Sequence, residues 1–161
     1  MSYTKLLYHV ILRTKYNQPT LTLEHDAKLY GYILGIVKNK KSVLYRINGM
    51  EDHLHLLVGI HPSISVADFV RDVKSSTAKW LRGNDFFPLF KSFSEGYAAL
   101  TYSMSEKEKV INYIKNQRKH HVKKTFEEEY RYFLTEMGVS VDERYIFAEG
   151  VVPLRGTDGG G

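Results

Sequence analysis

One stretch of the sequence reads Asp52-His53-Leu54-His55-Leu56-Leu57-Val58 and alternates polar with apolar side chains among β-forming residues. Side chains of a β-strand point to opposite faces of the sheet in turn. The two histidines are therefore predicted to share one face of a strand over residues 53–60, and the apolar residues at even positions to share the other. The apolar face must then pack against other elements of the chain.

The residues around this strand predict a repeating order of strands and helices. Runs of β-formers predict strands over residues 3–15, 42–48, 53–60 and 96–103, and apolar residues at helical spacing predict helices over residues 23–40, 66–81, 106–124 and 126–137. Ser65 with Asp68, and Ser105 with Glu108, resemble capping boxes at the starts of the second and third helices.

This order predicts an α+β, ferredoxin-like (split βαβ) fold. An antiparallel four-stranded sheet carries two helices on one face, and the C-terminal helices, one of which carries Tyr113, follow the fourth strand. The core helices leave the opposite face of the sheet open. We expect the two histidines to line that open face, and we expect the function there.

The composition indicates one globular domain without thiol chemistry. The chain has 161 residues, 43% of them hydrophobic and 25% charged, with a formal net charge of +5 and no cysteine. The absence of cysteine excludes disulfides, thiolate zinc sites and a cysteine nucleophile. We expect a single domain over residues 1–149 and a flexible, glycine-rich tail over residues 150–161, of the kind that expression vectors add.

The sequence also indicates where the protein works and what it meets. Its first residues lack a secretory signal, and it contains no apolar run of the roughly 20 residues that span a bilayer, so we expect a soluble cytoplasmic protein without a membrane partner. The basic balance, with 12 tyrosines and 8 phenylalanines, suits a nucleic-acid surface. Many proteins with this charge bind no nucleic acid.

The histidine pair is a candidate metal site. Residues two apart on a strand are roughly 6.6 Å apart at the backbone, which lets the imidazoles of His53 and His55 converge on one divalent ion. Two polar residues on a half-exposed strand can equally be solvent-facing. No third histidine or carboxylate stands at a fixed spacing, so a complete site must take ligands from elsewhere in the chain.

The third predicted helix supplies candidate partners. Tyr113 and Gln117 are four residues apart and share one helix face, with His120 and His121 one turn further. A phenol can act as a covalent nucleophile if a metal or base stabilises its phenolate, and an amide oxygen can complete a metal site. An ordinary surface helix with one amphipathic tyrosine is the alternative.

Together, the histidine strand and the tyrosine helix resemble one family, the single-tyrosine HUH transposases (transposase A) of small insertion sequences. Other stretches agree with the family pattern, namely Tyr8-His9-Val10-Ile11-Leu12-Arg13-Thr14-Lys15, Gly96-Tyr97-Ala98-Ala99-Leu100 and Thr125-Phe126-Glu127-Glu128-Glu129-Tyr130. The resemblance extends from about residue 2 to residue 149, with its motifs in the family's order and separation.

The resemblance implies a function and roles for residues. His53 and His55, with Gln117 as third ligand, would hold Mg²⁺ or Mn²⁺, and Tyr113 would attack the scissile phosphate of single-stranded DNA. The reaction would leave a 5′-phosphotyrosine and a free 3′-OH that can rejoin strands without a nucleotide cofactor. Family members generally form homodimers with composite active sites and recognise DNA hairpins at element ends. Supporting roles would fall to Asp52, His120 and His121.

The net charge hides a larger asymmetry. Residues 105–124 carry seven lysines and arginines against two glutamates, and residues 125–149 carry seven acidic residues against two arginines. Basic residues near the candidate nucleophile are placed to hold phosphates, although solvated helix faces are the usual location of such charges. The candidates for DNA contact are Lys115, Arg118, Lys119, Arg71, Lys74 and Lys79.

Two other functions compete with this one. A non-catalytic module that binds single-stranded nucleic acid on a ferredoxin-like sheet would need paired aromatic residues on the central strands, where this sequence has histidines. A metal-dependent phosphoesterase would use water as its nucleophile, and Tyr113 would then be incidental.

Overall fold

The structure, a computed structural model, describes residues 1–121 and 124–140. Its elements are the strands β1 (Leu7–Arg13), β2 (Val43–Gly49), β3 (His53–Gly59) and β4 (Ala98–Thr101), and the helices α1 (Asp26–Asn39), α2 (Val66–Arg82), α3 (Lys107–Lys115), α4 (Gln117–His120) and α5 (Phe126–Glu136). The predicted tail, and the predicted domain boundary at residue 149, lie outside the described residues.

The four strands form one antiparallel sheet in the order β2-β3-β1-β4. With α1 and α2 in the two crossovers, this is the predicted α+β, ferredoxin-like arrangement. The histidine strand β3 is therefore a central strand. It pairs with β1 on one side and with β2 on the other, so its side chains on both faces are flanked by other strands.

The first face of the sheet holds the larger hydrophobic core. Leu54, Leu56 and Val58 of β3 pack there with residues of α1 and α2 such as Ile33 and Phe69. All five side chains are at most 1% exposed. Burying an aliphatic side chain of this size stabilises the folded state by about 1.5–3 kcal/mol, so this face contributes much of the stability.

The opposite face is covered as well, and the expectation of an open face is wrong. Leu57 of β3 packs with Val110 and Ile114 of α3, and Ile11 of β1 packs with Phe126 and Phe133 of α5. The cause is that α3 and α5 have apolar stripes of their own. These stripes pack on the apolar residues of this second face of the sheet. The two histidines are therefore under a second layer of helices.

Helix starts and ends follow local signals, with two differences from the sequence-based expectation. Ser65 caps α2 by accepting a hydrogen bond from the Asp68 backbone, as predicted. The capping box before α3 is formed by Ser103 and Glu106, two residues earlier than the expected pair. The expected long third helix is broken at Asn116, whose backbone angles, φ −94° and ψ 18°, separate α3 from α4.

The tight connection between β2 and β3 requires glycine at position 49. A Cβ atom on Gly49 would lie 2.2 Å from the backbone oxygen of His53. Any side chain here would displace the residue that begins the histidine strand. This close approach fixes the register in which Asn48 lies opposite His55.

Candidate active site

The two histidines lie side by side on β3 and point away from the first core, as the alternation predicts. Both side chains are 0% exposed, because α5 covers them. The ring of Phe126 stacks on His53 with centroids 4.2 Å apart, and the ring of Phe133 lies with its centroid 6.1 Å from that of His55. The candidate site is therefore buried between the sheet and α5.

Each imidazole is held by its Nδ1 atom. Asp52 Oδ1 lies 2.7 Å from His53 Nδ1, and His9 Nε2 on β1 lies 2.7 Å from His55 Nδ1. Metal-ligating histidines are usually oriented in this way by a partner at the second nitrogen. Both Nε2 atoms are consequently turned toward one common point. The supporting position of Asp52 was predicted, whereas that of His9 was not.

The two histidines and His9 differ in protonation. Burial alone would lower the pKa of His53, but its hydrogen bond to Asp52 and its attraction to Asp52 and Glu129 outweigh burial and raise the pKa. Burial lowers the pKa of His55. The pKa of His9 is held well below its usual value by burial and by the neighbouring His55. Two of the three rings therefore resist protonation.

The common point of the two Nε2 atoms is occupied by a carboxylate from α5. Oε1 of Glu129 lies 3.0 Å from His55 Nε2, 3.4 Å from His53 Nε2 and 3.3 Å from His121 Nε2. Glu129 is only 1% exposed. Burial alone would raise the pKa of its carboxyl, but interactions with the three histidines, His121 first, outweigh burial and hold the pKa far below its usual range.

Sequence reasoning missed Glu129, although a signal existed. Thr125 and Glu128 form a capping box at the start of α5, which places the next residue on the first turn of that helix. Phe126 and Phe133 are buried on the same helix, and Glu129 lies one turn from each of them. A carboxylate inside an apolar stripe needs a buried partner, and this was the available hint.

The tyrosine and glutamine of the third helical segment meet the same carboxylate from the other side. The phenol of Tyr113 donates a hydrogen bond to Oε2 of Glu129, and Gln117 Nε2 donates to that oxygen at 2.6 Å. Burial, together with the negative charge of Glu129 and this hydrogen bond, raises the pKa of Tyr113, so the phenol is protonated. His120 stacks on the ring of Tyr113, with centroids 4.4 Å apart.

The structure thus brings together residues that sequence reasoning proposed from two separate segments. The predicted nucleophile, the two histidines, the predicted third ligand and one predicted supporting residue, His121, surround one carboxylate. The other two supporting residues lie one contact further out, Asp52 against His53 and His120 against Tyr113. Tyr113 reaches this point from its own chain, and its ring centroid is 6.1 Å from that of His55. Its outer side lines a pocket of about 220 Å³ together with Lys109 and Tyr132.

The residues present fit a divalent cation. The Nε2 atom of His53 and the Oε1 atom of Gln117 are buried, and neither has a hydrogen-bond partner among the described residues. Single donor atoms of His53, His55 and Glu129 lie within 4.8 Å of one another. An imidazole nitrogen and an amide oxygen that are buried without partners gain from a cation between them, since unpaired buried polar atoms are costly.

The candidate DNA-contacting residues fall into two groups. Lys79, Lys115 and Lys119 are exposed. The other three are bonded within the chain: Arg71 donates to Asp68 Oδ1, Lys74 donates to the backbone oxygens of Ser94 and Glu95, and Arg118 donates to Asp26 Oδ2. Arg71 is exposed as well. DNA contact by any of the six stays a prediction, and the four exposed residues are better placed for it.

The fold and the paired histidines beneath a tyrosine helix define a class, the single-tyrosine HUH transposases. A model of the family described as IS200-like transposases matches residues 2–117 of the chain. The chain belongs to this family and is a transposase that acts on DNA. Within the described residues, no helix is long and apolar enough to cross a membrane.

Individual relatives agree with this assignment. The ISDra2 transposase TnpA of Deinococcus radiodurans is 27% identical over 120 residues, which are 70% of this chain and 84% of that protein. A solved structure of a candidate transposase from Deinococcus radiodurans R1 matches with a TM-score of 0.54 at 28% identity, over 72% of this chain and 93% of that chain. A REP-associated tyrosine transposase bound to a REP hairpin matches in fold, with a TM-score of 0.56 at 11% identity, over 76% of this chain and 71% of that chain.

Proposed function

We propose that this transposase cleaves and rejoins single-stranded DNA at element ends through a 5′-phosphotyrosine on Tyr113, with a divalent metal ion. One observation carries the proposal: the phenol of Tyr113 and the Nε2 atom of His55 are bonded to the two oxygens of one buried carboxylate, Glu129. A candidate nucleophile and a candidate metal ligand therefore contact the same carboxylate group. A structural or purely binding role would not require this arrangement.

The metal is held, in this proposal, by the Nε2 atoms of His53 and His55 and by the amide oxygen of Gln117. The carboxylate of Glu129 is an additional oxygen donor, since its Oε1 already lies near both imidazoles. Mixed nitrogen and oxygen ligands suit Mn²⁺, and oxygen ligands with water suit Mg²⁺. The bound ion supplies Lewis-acid stabilisation of the negative charge on the scissile phosphate.

Tyr113 carries out the bond exchange. The phenol oxygen forms a bond to phosphorus, the bond from phosphorus to the 3′ oxygen breaks, and that oxygen takes a proton from solvent to become a 3′-OH. The phenol proton is released to solvent as the bond to phosphorus forms, and Oε2 of Glu129, which accepts the hydrogen bond of the phenol, orients the phenol. In the reverse direction the 3′-OH attacks the phosphotyrosine and restores a phosphodiester, so no nucleotide cofactor is consumed.

The proposal extends to substrate form and assembly. Recognition of DNA hairpins is supported by the structural relative bound to a REP hairpin, together with the family resemblance. A homodimer with composite active sites, a single domain over residues 1–149 and a cytoplasmic location remain part of the proposal. In this structure Tyr113 lies over the histidines of its own chain. A composite site would exchange that segment between two copies.

The proposal is tested by trapping the covalent product. Wild-type protein with single-stranded element-end DNA and Mg²⁺ or Mn²⁺ is expected to give an adduct that survives a denaturing gel. Tyr113→Phe is expected to abolish the adduct while DNA binding remains. Tyr132→Phe is the matched control, because Tyr132 lines the same pocket without touching Glu129, and it is expected to form the adduct normally.

Other outcomes would select the competing functions. Cleavage by Tyr113→Phe without an adduct would show a phosphoesterase that uses water. Tight DNA binding with no cleavage by any variant, at any metal concentration, would show a non-catalytic binding module. Either result would overturn the proposed nucleophile.

The ligand set has a separate test that does not depend on cleavage. Calorimetric titration with Mn²⁺ is expected to show weaker binding by Gln117→Ala and by Glu129→Gln than by wild type. Affinity of Gln117→Ala equal to that of wild type would exclude Gln117, and the carboxylate would then be the third ligand. Unchanged affinity of Glu129→Gln would exclude the carboxylate as a donor.

A further inference from the structure

The break between α3 and α4 lies inside the candidate site. Tyr113 belongs to α3 and Gln117 begins α4, so the two side chains that donate to Oε2 of Glu129 come from opposite sides of Asn116. At a helix end the last carbonyl groups have no partner within the helix. Here the Lys119 N–H donates to Asn116 O at 3.0 Å. The Asn116 N–H contacts Asn112 O and Ile114 O, and the carbonyl oxygens of Ile114 and Lys115 also accept from a side chain.

This side chain, Asn48, lies on the edge strand β2. The Asn48 Nδ2 group donates to Ile114 O at 3.1 Å and to Lys115 O at 3.2 Å. The Oδ1 atom of the same amide accepts from the Gly49 backbone at 2.9 Å and from the Tyr30 hydroxyl at 3.3 Å. Both ends of the amide are therefore occupied, and its orientation is fixed.

Asn48 also stands at a special place in the sheet. It lies directly opposite His55 in the antiparallel pairing of β2 with β3, so the two side chains are on the same face. The side chain that holds the helix break is thus anchored beside a proposed metal ligand.

A second contact on the same side holds α4. Arg118 Nη2 lies 2.6 Å from Asp26 Oδ2 at the start of α1, and Arg118 Nε lies 3.4 Å from Gly49 O. This pair fixes the side of α4 that faces α1. Among the described residues, Asn48 is the side chain that donates to the two carbonyls of the break.

We propose that Asn48 is a positioning residue, which sets the helix break so that Tyr113 and Gln117 face the histidines. The proposal rests on the proposed function, since it assigns a role in that reaction. Asn48 does not touch the reacting atoms. A misplacement of a reacting group by about 1 Å can cost on the order of 100-fold in rate, and this is the scale of effect expected.

The test uses Asn48→Asp, which is close to isosteric. The variant keeps an oxygen for the Gly49 N–H but removes both N–H donors and sets a carboxylate oxygen against two carbonyl oxygens. At saturating DNA and metal, single-turnover adduct formation is expected to fall about 100-fold, while the DNA concentration for half-maximal rate stays unchanged. Asn39→Asp makes the same change on the exposed last turn of α1 and is expected to react like wild type.

A second readout needs neither DNA nor metal. Hydrogen exchange of the backbone amides of residues 112–120 is expected to be faster in Asn48→Asp than in wild type and in Asn39→Asp. Unchanged exchange, or faster exchange with an unchanged saturating rate, would overturn the positioning role. If wild type forms no adduct, the proposed function fails, and the exchange result alone decides whether Asn48 holds the break. If Asn48→Asp melts below the assay temperature, Asn48→Ser, which keeps one donor, is compared in the same way.

Discussion

The two faces of strand β3 are equally buried and chemically opposite. On one face Leu54 and Leu56 pack among apolar side chains of α1 and α2. On the other, His53 and His55 are also 0% exposed, but three of their four ring nitrogens are hydrogen-bonded to the side chains of Asp52, His9 and Glu129. Burial therefore does not distinguish core from site here. The number of polar partners per buried side chain distinguishes the candidate site from the core.

The largest effect is expected from removing one histidine of the polar face. His55→Ala deletes a proposed metal ligand and leaves His9 and Glu129 without their shared partner. We expect no adduct with either Mg²⁺ or Mn²⁺, measured on a denaturing gel. His61→Ala, in the loop after β3, is the matched histidine control and should retain the adduct. Full adduct formation by His55→Ala would remove the metal site from the proposal.

The neighbouring residue on the apolar face is expected to behave in the opposite way. Leu56→Ala leaves a cavity in a well-packed core and should lower the free energy of unfolding by about 2–5 kcal/mol, measured by urea denaturation. Adduct formation per folded molecule should persist at a temperature where the variant is folded. Loss of the adduct in fully folded Leu56→Ala would show that the two faces are not separable.

Between pH 5 and pH 8, a pH dependence of stability should come mainly from the polar face. The pKa values of His9 and His55 are lowered, so below about pH 6.5 the unfolded chain binds more protons than the folded protein and the free energy of unfolding falls. The raised pKa of His53 acts in the opposite direction, with a contribution present below about pH 6.5 and lost above its folded pKa. The lowered pKa of Glu129 adds a further loss below about pH 4.5.

The net slope should be at most about 1.4 kcal/mol per pH unit for each unbalanced proton. Urea denaturation between pH 5 and pH 8, with a chelator present, measures it. His9→Gln is expected to flatten the slope, whereas Leu56→Ala should lower the whole curve without changing its slope. An unchanged slope in His9→Gln would show that His9 does not contribute.

The smallest effects compare helix caps on the two faces. Thr125→Ala removes the cap of α5 and Ser65→Ala removes the cap of α2, and each should cost about 1 kcal/mol of stability. Only Thr125→Ala should also weaken Mn²⁺ binding in a calorimetric titration, because Glu129 lies on the first turn of α5. Equal Mn²⁺ affinity in both variants would mean that the first turn of α5 does not set the position of its carboxylate.

The fold was predictable from the sequence because its signals are local. The alternation around His53 sets the faces of the central strand, and Ser65 marks the start of α2. The break at Asn116 was not predictable, because its cause is a hydrogen-bond donor on Asn48, 66 residues away from Ile114. The spacing of residues within one helix or strand does not reveal a contact between residues so far apart in the sequence.

The site was predictable in part, for the same reason. His53, His55, Tyr113 and Gln117 stand in short motifs, whereas Glu129 is one of several acidic residues in a row. Its burial depends on how α5 packs on the sheet, which is a property of tertiary structure. The covering of the second sheet face was missed for the same reason. The apolar stripes of α3 and α5 are visible in the sequence, but the surface on which they pack is not.

The carboxylate of Glu129 comes from a later part of the chain than the residues that it joins. The match to the family model ends at residue 117, which is Gln117 itself. Glu129 lies beyond that point, on a helix outside the matched span, and yet it joins every proposed reacting group. Removal of the chain after residue 117 would therefore take away the one carboxylate that the proposed nucleophile and the proposed metal ligands share.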